Sequence, residues 1–199
     1  MGRKNLSLTR RLEIIKSFYT VAKAHGLENA SIAKVADEMG ISNGLVMHYF
    51  NTKDELLIGL NEYILEQHVQ VFKASNSDDI TTKEELESLI KNLFSRKWNQ
   101  YFDDGVFYSC YALIYRNDAF NKSFKAYLLS LHEVLQLKLE QAKDHKVIYN
   151  TNLNELTEII FALVDGSYYY MGMFNPDDPS HEQQELIYVQ HCLGLFQYN

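Results

Sequence analysis

The chain of 199 residues is 46% hydrophobic and carries a formal net charge of −7, values typical of a globular protein with an apolar core. No apolar run approaches the roughly 20 residues of a membrane-spanning helix, and residues 1–8 lack the apolar segment of a secretory signal, so we expect a cytoplasmic protein without a membrane partner. Cys110 and Cys192 are too few for a disulfide framework, which favours buried free thiols.

The charge is unevenly distributed along the chain. Residues 1–53 carry eight Lys or Arg and four Asp or Glu, a net charge of +4, whereas the remainder of the chain carries −11. A basic segment on an acidic chain favours contact with phosphate groups through one end only. Because this asymmetry alone is weak support for nucleic-acid binding, the motifs within the basic segment decide its interpretation.

Apolar residues recur at helical spacing along the chain and strand-like alternation is absent, so the sequence predicts an all-α fold. A first helix ends near Gly26, and its inner face is predicted to consist of Leu12, Ile15, Tyr19 and Ala22. Short helices follow at Ser31 and near Ser42. Capping boxes at 52–55 and 82–85 begin a fourth helix through about residue 74 and a fifth through about residue 101. Further helices are predicted at about 106–116, 118–143, 153–174 and 181–197.

Residues 31–50 predict a helix-turn-helix. Ser31 is suited to capping a helix, and Gly40 can adopt the left-handed conformation that ends it. Ser42 then caps a second helix of about two turns, the arrangement in which the second helix enters the major groove of DNA. An ordinary helical hairpin within a bundle has the same layout, so only the side chains distinguish a DNA-binding motif from a structural hairpin. Asn43 and His48 can reach base edges, Gly44 permits close approach of the backbone, and Lys53 is suited to a phosphate contact.

This segment resembles the TetR family of bacterial repressors. The resemblance covers about 45 residues and rests on Ile32, Ala33, Ala36, Gly40, Ile41, Ser42, Gly44, His48, Tyr49, Phe50, Lys53 and Leu56. It implies an all-helical homodimer with a helix-turn-helix DNA-binding domain in residues 1–52 and a helical ligand-binding and dimerisation domain in residues 53–199. Leu45 and Met47 replace the Thr and aromatic residue usual in the family, and they could instead contact thymine methyl groups.

The predicted partner is a palindromic operator in double-stranded DNA. Arg10 and Arg11 would add contacts to the DNA backbone. The residues predicted to bind DNA are Arg3, Lys4, Ser31, Ser42, Asn43, Gly44, Leu45, Met47, His48, Tyr49 and Lys53.

A narrower resemblance is to the choline-responsive repressors of glycine-betaine synthesis. It rests on residues 41–50 and 162–166, and on the order Phe107, Tyr111, Asn117, although Asp118 replaces the proline of that subgroup. The resemblance implies a small effector that binds in the divergent part of the chain.

The sequence is rich in aromatic residues, with 14 Tyr and 11 Phe, most of them beyond residue 60. Aromatic faces attract cations, and Asp165 in an apolar helix could supply a counter-charge, so the effector is expected to be cationic or aromatic. Taken one by one, most of these rings are as well explained as core residues, but the family resemblance implies a pocket among them. The residues predicted to line it are Trp98, Phe107, Tyr108, Tyr111, Tyr115, Asp165 and Tyr169.

The last two predicted helices carry wide apolar stripes. Burial within the same subunit would explain them, but the resemblance implies a four-helix interface between two chains. Such a homodimer would hold its recognition helices about 34–36 Å apart, one turn of DNA.

Other classes of function are not supported by the sequence. No two of the seven histidines stand three or four residues apart, and no motif of a hydrolase or nucleotide-binding enzyme occurs, so we expect neither metal nor cofactor nor catalysis. The expected function is a ligand-responsive repressor that a small-molecule effector releases from DNA. The alternative is a helical small-molecule-binding or scaffold protein without DNA binding.

Overall fold

The computed structural model describes residues 3–75, 78–95, 103–174 and 179–198. Within these residues the protein consists of α-helices and one short 3-10 helix, and the all-α prediction is confirmed. The helices are α1 (Arg3–His25), α2 (Ile32–Met39), α3 (Asn43–Tyr49), α4 (Lys53–Ser75), α5 (Lys83–Phe94), α6 (Asp104–Tyr111), the 3-10 helix (Ala112–Tyr115), α7 (Asp118–Asp144), α8 (Leu153–Met171) and α9 (Pro179–Leu193). None of the described helices is long and apolar enough to cross a membrane.

Helix ends follow the capping residues closely. The capping box at Thr82 is present, because the Thr82 side chain accepts from the Glu85 backbone and the Glu85 side chain accepts from the Thr82 backbone. α6 begins two residues earlier than predicted, since Asp103 caps it by accepting a hydrogen bond from the Val106 amide at 3.0 Å. α9 begins at Pro179, two residues before its predicted start at residue 181. Proline fits the first turn of a helix, where no backbone amide is needed.

The chain folds into two compact units, and each unit contains two separate segments of the chain. The N-terminal unit contains residues 1–70 and 99–127, and the C-terminal unit contains residues 71–98 and 128–199. The predicted boundary between residues 52 and 53 was a division by function. The packing units do not test it, and it stays a prediction. The segment predicted to bind DNA therefore shares its compact unit with most of α4, with α6 and with the start of α7.

The buried face of α1 agrees with the predicted one only in part, since Ala22 is buried as predicted but Leu12 is not. Ile14 and Phe18 are fully buried, whereas Leu12, which was predicted to face inward, is 40% exposed. Both sets of residues have helical spacing, so periodicity alone did not distinguish them. The inner face is the one that packs on α2, α3 and α6 within the N-terminal unit.

The C-terminal unit has its own core, in which α5 packs on α8 and α9. Its last residues are held by the loop between α7 and α8. The Asn150 side chain donates to the Leu195 carbonyl at 2.9 Å and accepts from the Gln197 amide at 2.8 Å. These bonds fix the end of the chain against the body of this unit.

Candidate DNA interface and effector site

α2 and α3 form the predicted helix-turn-helix. The Ser31 hydroxyl accepts from the Lys34 amide at 3.3 Å, and the Ser42 hydroxyl accepts from the Leu45 amide at 3.2 Å. Between the helices Gly40 has φ 62° and ψ 35°, the left-handed conformation that glycine adopts without strain. Both predicted caps and the predicted turn are therefore confirmed.

One side of α3 is fixed by the core. Val46, in the middle of this short helix, and Phe50, directly after it, are fully buried. Ala36 on α2 is also buried, and its small side chain permits the two helices to pack closely. Burial of one side holds α3 in a single orientation and determines which residues face outward.

The outward side of α3 consists of residues predicted to bind DNA. Asn43, Gly44, Met47 and His48 are all exposed. Met47 is 50% exposed, so the core does not occupy its side chain. If Gly44 had a Cβ, the nearest atom that it would contact is the Ser42 hydroxyl oxygen, 4.0 Å away. Packing therefore does not require glycine at position 44.

The remaining predicted contacts lie around this face. Ser31, Leu45, Tyr49 and Lys53 are half-buried, and Ser42 is exposed at the N-terminus of α3. Lys53 begins α4, where the Thr52 hydroxyl accepts from the Glu55 amide at 3.1 Å and supplies the predicted N-terminal cap. The side chains of Arg3 and Lys4, also predicted to contact DNA, lie outside the described part of the structure.

Arg10 and Arg11 both have acceptors within the protein. Arg10 forms an ion pair with Glu13 at 2.6 Å, one turn along α1. Arg11 donates to the Tyr49 carbonyl and forms an ion pair with Glu55 at 3.1 Å. The predicted backbone contact by Arg11 therefore competes with bonds that the folded protein already makes.

A group of rings in the N-terminal unit, three of them buried and that of His68 half-buried, joins α4, α6 and α7. We call His68, Phe107, Phe124 and Tyr127 the His68 cluster. The His68 ring centroid lies 6.2 Å from that of Phe107 and 5.1 Å from that of Tyr127, and the Tyr127 hydroxyl is hydrogen-bonded to His68 Nδ1. Burial lowers the pKa of His68 to about 4, so its imidazole is neutral near pH 7.

Some residues predicted to bind the effector adjoin this cluster. Phe107 is a member of it, the Tyr108 ring lies 5.3 Å from Phe107, and the Tyr111 ring lies 5.4 Å from Phe124. Tyr115 does not belong to an enclosed site, since it is 80% exposed. Trp98 lies outside the described residues.

Sequence reasoning missed two polar residues of α4. One is His68. The other is Asn61, which is only 1% exposed and whose amide oxygen and nitrogen have no hydrogen-bond partner among the described residues. Their separation of seven residues places Asn61 and His68 on the same side of the helix. Two polar residues at this spacing beside the buried apolar residues Leu60, Ile64 and Leu65 were the available signal.

Asp165 and Tyr169 belong to the other compact unit. Both are exposed on α8, together with Ile159, which is 41% exposed. On α9, Leu186 and Ile187 are 53% and 56% exposed. The wide stripes of the last two helices thus divide in two. Their inner members are buried within the unit, and their outer members form an apolar surface on this chain.

Two family models together match most of the chain. Residues 14–60 match the bacterial regulatory proteins of the tetR family, and residues 81–198 match the C-terminal domain of tetracyclin repressor-like proteins. The chain belongs to the TetR family. This TetR-family protein is a ligand-responsive DNA-binding transcriptional regulator and not an enzyme, which excludes the alternative of a helical binder without DNA binding.

Individual relatives agree with the family assignment. The HTH-type transcriptional regulator BetI of Brucella canis is 25% identical over 173 residues, which cover 86% of this chain and 85% of that protein. A TetR transcription regulator from Haloarcula marismortui has the same fold, with a TM-score of 0.80 at 20% identity over 95% of this chain and 99% of its own. A transcriptional regulator from Saccharomonospora viridis, solved in complex with choline, has a TM-score of 0.75 at 14% identity over 96% of this chain and 99% of its own.

Proposed function

We propose that this TetR-family protein is a homodimeric repressor that reads a palindromic operator with the outward side of α3. The observation that carries the proposal is the contrast within this one helix. Val46 is fully buried, whereas Asn43, Gly44, Met47 and His48 are exposed. Asparagine and histidine side chains on such a face can hydrogen-bond to base edges in the major groove. Tyr49 and Lys53, next to these residues in the chain, would contact phosphates of the DNA backbone.

The proposed dimer forms through the outer surfaces of α8 and α9. The exposed apolar residues Ile159, Leu186 and Ile187 support this assignment, because a monomer would leave them in water. Gly166 on α8 supports it too, since a Cβ added there meets no described atom within 4 Å and a partner helix could approach closely.

Replacing Leu186 or Ile187 by Glu tests the interface. We expect each variant to sediment as a monomer at concentrations at which the parent is a dimer, because a charge would be buried in the interface. Leu12→Glu, at an exposed apolar residue of α1, is the matched control and should remain dimeric. A dimeric Leu186→Glu, Ile187→Glu double variant would contradict this interface.

The proposed effector is a small cation of the quaternary ammonium class. The rings of Phe107, Tyr108, Tyr111, Phe124 and Tyr127 support it, because aromatic faces attract such groups. The low pKa of His68 removes a positive charge that would otherwise repel a cation. A solved regulator that holds choline, and the resemblance of residues 41–50 and 162–166 to choline-responsive repressors, point to the same chemistry.

The effector and DNA sites are coupled through α4 in this proposal. α4 carries Lys53 at its start and His68 four turns later, so one rigid element joins the DNA-reading face to the His68 cluster. Repression is relieved if the effector binds better to the arrangement of α4 in which the two recognition helices are wrongly spaced for the operator.

Fluorescence anisotropy with labelled DNA from the regions flanking the gene tests the function. We expect tight, salt-dependent binding to one palindromic fragment and its release by choline or betaine aldehyde. The neutral isostere 3,3-dimethylbutanol is the control for charge. A folded dimer that binds none of these fragments would contradict repression of its own locus. Absence of a thermal shift with either cation would remove the cationic effector.

Two variants separate the roles proposed for the effector residues. Tyr111→Leu should weaken choline binding without changing dimerisation, because Tyr111 adjoins the His68 cluster. Asp165→Asn should also weaken choline binding if this carboxylate is the counter-charge. If Asp165→Asn changes only the dimer dissociation constant, the residue belongs to the α8 surface instead.

A further inference from the structure

Arg11 is bonded to the segment through which the chain leaves the recognition helix. Its Nη1 donates to the carbonyl oxygen of Tyr49, the last residue of α3. Nη1 and Nη2 both donate to Glu55 Oε1, at 3.1 and 3.2 Å. The guanidinium also lies over the Phe50 ring, 4.1 Å from its centroid. We call Arg11, Tyr49, Phe50, Asn51 and Glu55 the Arg11 clamp.

The Glu55 carboxylate completes the clamp from the first turn of α4. Its second oxygen, Oε2, accepts from the Asn51 backbone amide at 2.9 Å and from the Asn51 side chain at 3.2 Å. These bonds, first that of the Asn51 amide and then that of Arg11, hold the pKa of the Glu55 carboxyl below its usual value. One carboxylate therefore joins α1, the linker after α3, and α4.

The apolar packing beneath the clamp is close. Phe50 is fully buried, and a Cβ added to Gly59 on α4 would lie 3.4 Å from its ring and 3.1 Å from the Ile15 side chain on α1. α1, Phe50 and α4 therefore approach one another to the limit that a glycine permits. A displacement of the start of α4 has to move Phe50 and, with it, the end of α3.

We propose that Arg11 is a positioning residue that holds α3 to the start of α4, and that it does not contact a DNA phosphate. A phosphate contact needs guanidinium donors directed at solvent, but three of the five N–H donors of Arg11, on both terminal nitrogens, are directed at protein acceptors. The clamp is also the route by which a movement of α4 reaches α3. This inference rests on the proposed function only in that α3 reads the operator.

The test compares Arg11→Lys with the parent on operator DNA and on unrelated DNA of the same length, over a series of salt concentrations. Lysine keeps the positive charge but lacks the planar fork that spans Tyr49 and Glu55. We expect about a tenfold loss of operator affinity, with unchanged affinity for unrelated DNA and an unchanged salt slope. Arg116→Lys, at an exposed arginine outside α1–α4 that is not predicted to contact DNA, is the matched control and should leave all three quantities unchanged.

Glu55→Gln is expected to change operator affinity differently depending on whether Arg11 positions α3 or contacts a phosphate. If Arg11 positions α3, loss of the carboxylate lowers operator affinity by about tenfold, and the double variant Arg11→Lys, Glu55→Gln loses little more than either single variant. If Arg11 contacts phosphate, removal of a nearby negative charge leaves operator affinity unchanged or raises it.

Three results would overturn the inference. They are unchanged operator affinity in both variants, a parallel loss on operator and unrelated DNA with a smaller salt slope, and additive losses in the double variant. Binding to unrelated DNA also reports how much folded protein each sample contains, so a variant that merely unfolds would show a parallel loss with an unchanged salt slope. Failure of the parent to bind any operator would instead contradict the proposed function.

Discussion

The outward side of α3 and the His68 cluster lie in the same compact unit but are built in opposite ways. The residues proposed to read DNA come from one helix of seven residues and face solvent. The members of the His68 cluster come from three helices, and the hydrogen bond between Tyr127 and His68 spans 59 residues of the chain. A reading surface needs one short helix whose back is fixed by the core. A site for a small molecule needs several elements to enclose it, so its composition depends on long-range packing.

The comparison predicts its largest effect at Asn43. Asn43→Ala should weaken operator binding by about 1–3 kcal/mol, because the variant loses hydrogen bonds to a base edge. Its thermal stability should remain that of the parent, since Asn43 is exposed. Anisotropy titration measures the first quantity and thermal melting the second. Thr20→Ala, at an exposed residue of α1, is the control. If Asn43→Ala and Lys53→Ala both bind as the parent does, the interface is assigned wrongly.

The His68 cluster predicts a pH effect on stability rather than on DNA contact. The unfolded chain binds a proton at His68 near pH 6.5, whereas the folded protein does so only at about 4. Between these values the unfolded state holds more protons, so stability falls as the pH falls. From pH 7 to pH 5 we expect a loss of up to about 2 kcal/mol in urea unfolding. The variant His68→Gln should lose this part of the pH dependence, and an unchanged dependence would contradict the assignment.

Gly40 and Gly44 contrast structure with function within the helix-turn-helix. Gly40→Ala should lower the free energy of unfolding by about 1 kcal/mol, because its φ of 62° is strained for alanine. Gly44→Ala should not lower it, since the added Cβ enters open space beside a helical backbone. Operator binding should respond in the reverse order if DNA approaches the Gly44 backbone. A stability loss at Gly44 equal to that at Gly40 would remove the distinction.

The smallest expected effect is at Met47. If its exposed side chain covers a thymine methyl group, replacing that thymine by uracil should weaken binding by about 0.8 kcal/mol. Met47→Ala should bind both operators equally. Competition titrations with uracil placed at each thymine in turn would locate the contact, and an operator insensitive to every replacement would exclude it.

Local features of the structure were predictable because short-range chemistry determines them. Ser31, Ser42 and Thr82 cap helices as their sequence context indicates, and Gly40 makes the turn that only a residue tolerant of positive φ can make. The buried position of Val46 follows in the same way from the helical period once both ends of α3 are set. The exposed side of the recognition helix was therefore available from the sequence.

The buried faces of helices were not predictable from short-range chemistry, because they depend on which helices pack against each other. Both possible inner faces of α1 have helical spacing, and only packing on α2, α3 and α6 selects Ile14 and Phe18 over Leu12. The same is true of the apolar stripes of α8 and α9, whose width gave no indication of where the buried part ends and the exposed part begins.

The sequence by itself determined the helices, their caps, the turn at Gly40 and the family, since each of these depends on residues close together in the chain. Tertiary structure alone decided what Arg11 and His68 do. Arg11 looked like one more basic residue near DNA, but the fold places the Tyr49 carbonyl and the Glu55 carboxylate, 38 and 44 residues away, within reach of its guanidinium. A side chain's partners follow from the three-dimensional packing, because long polar side chains bond to whatever acceptors the fold brings near them.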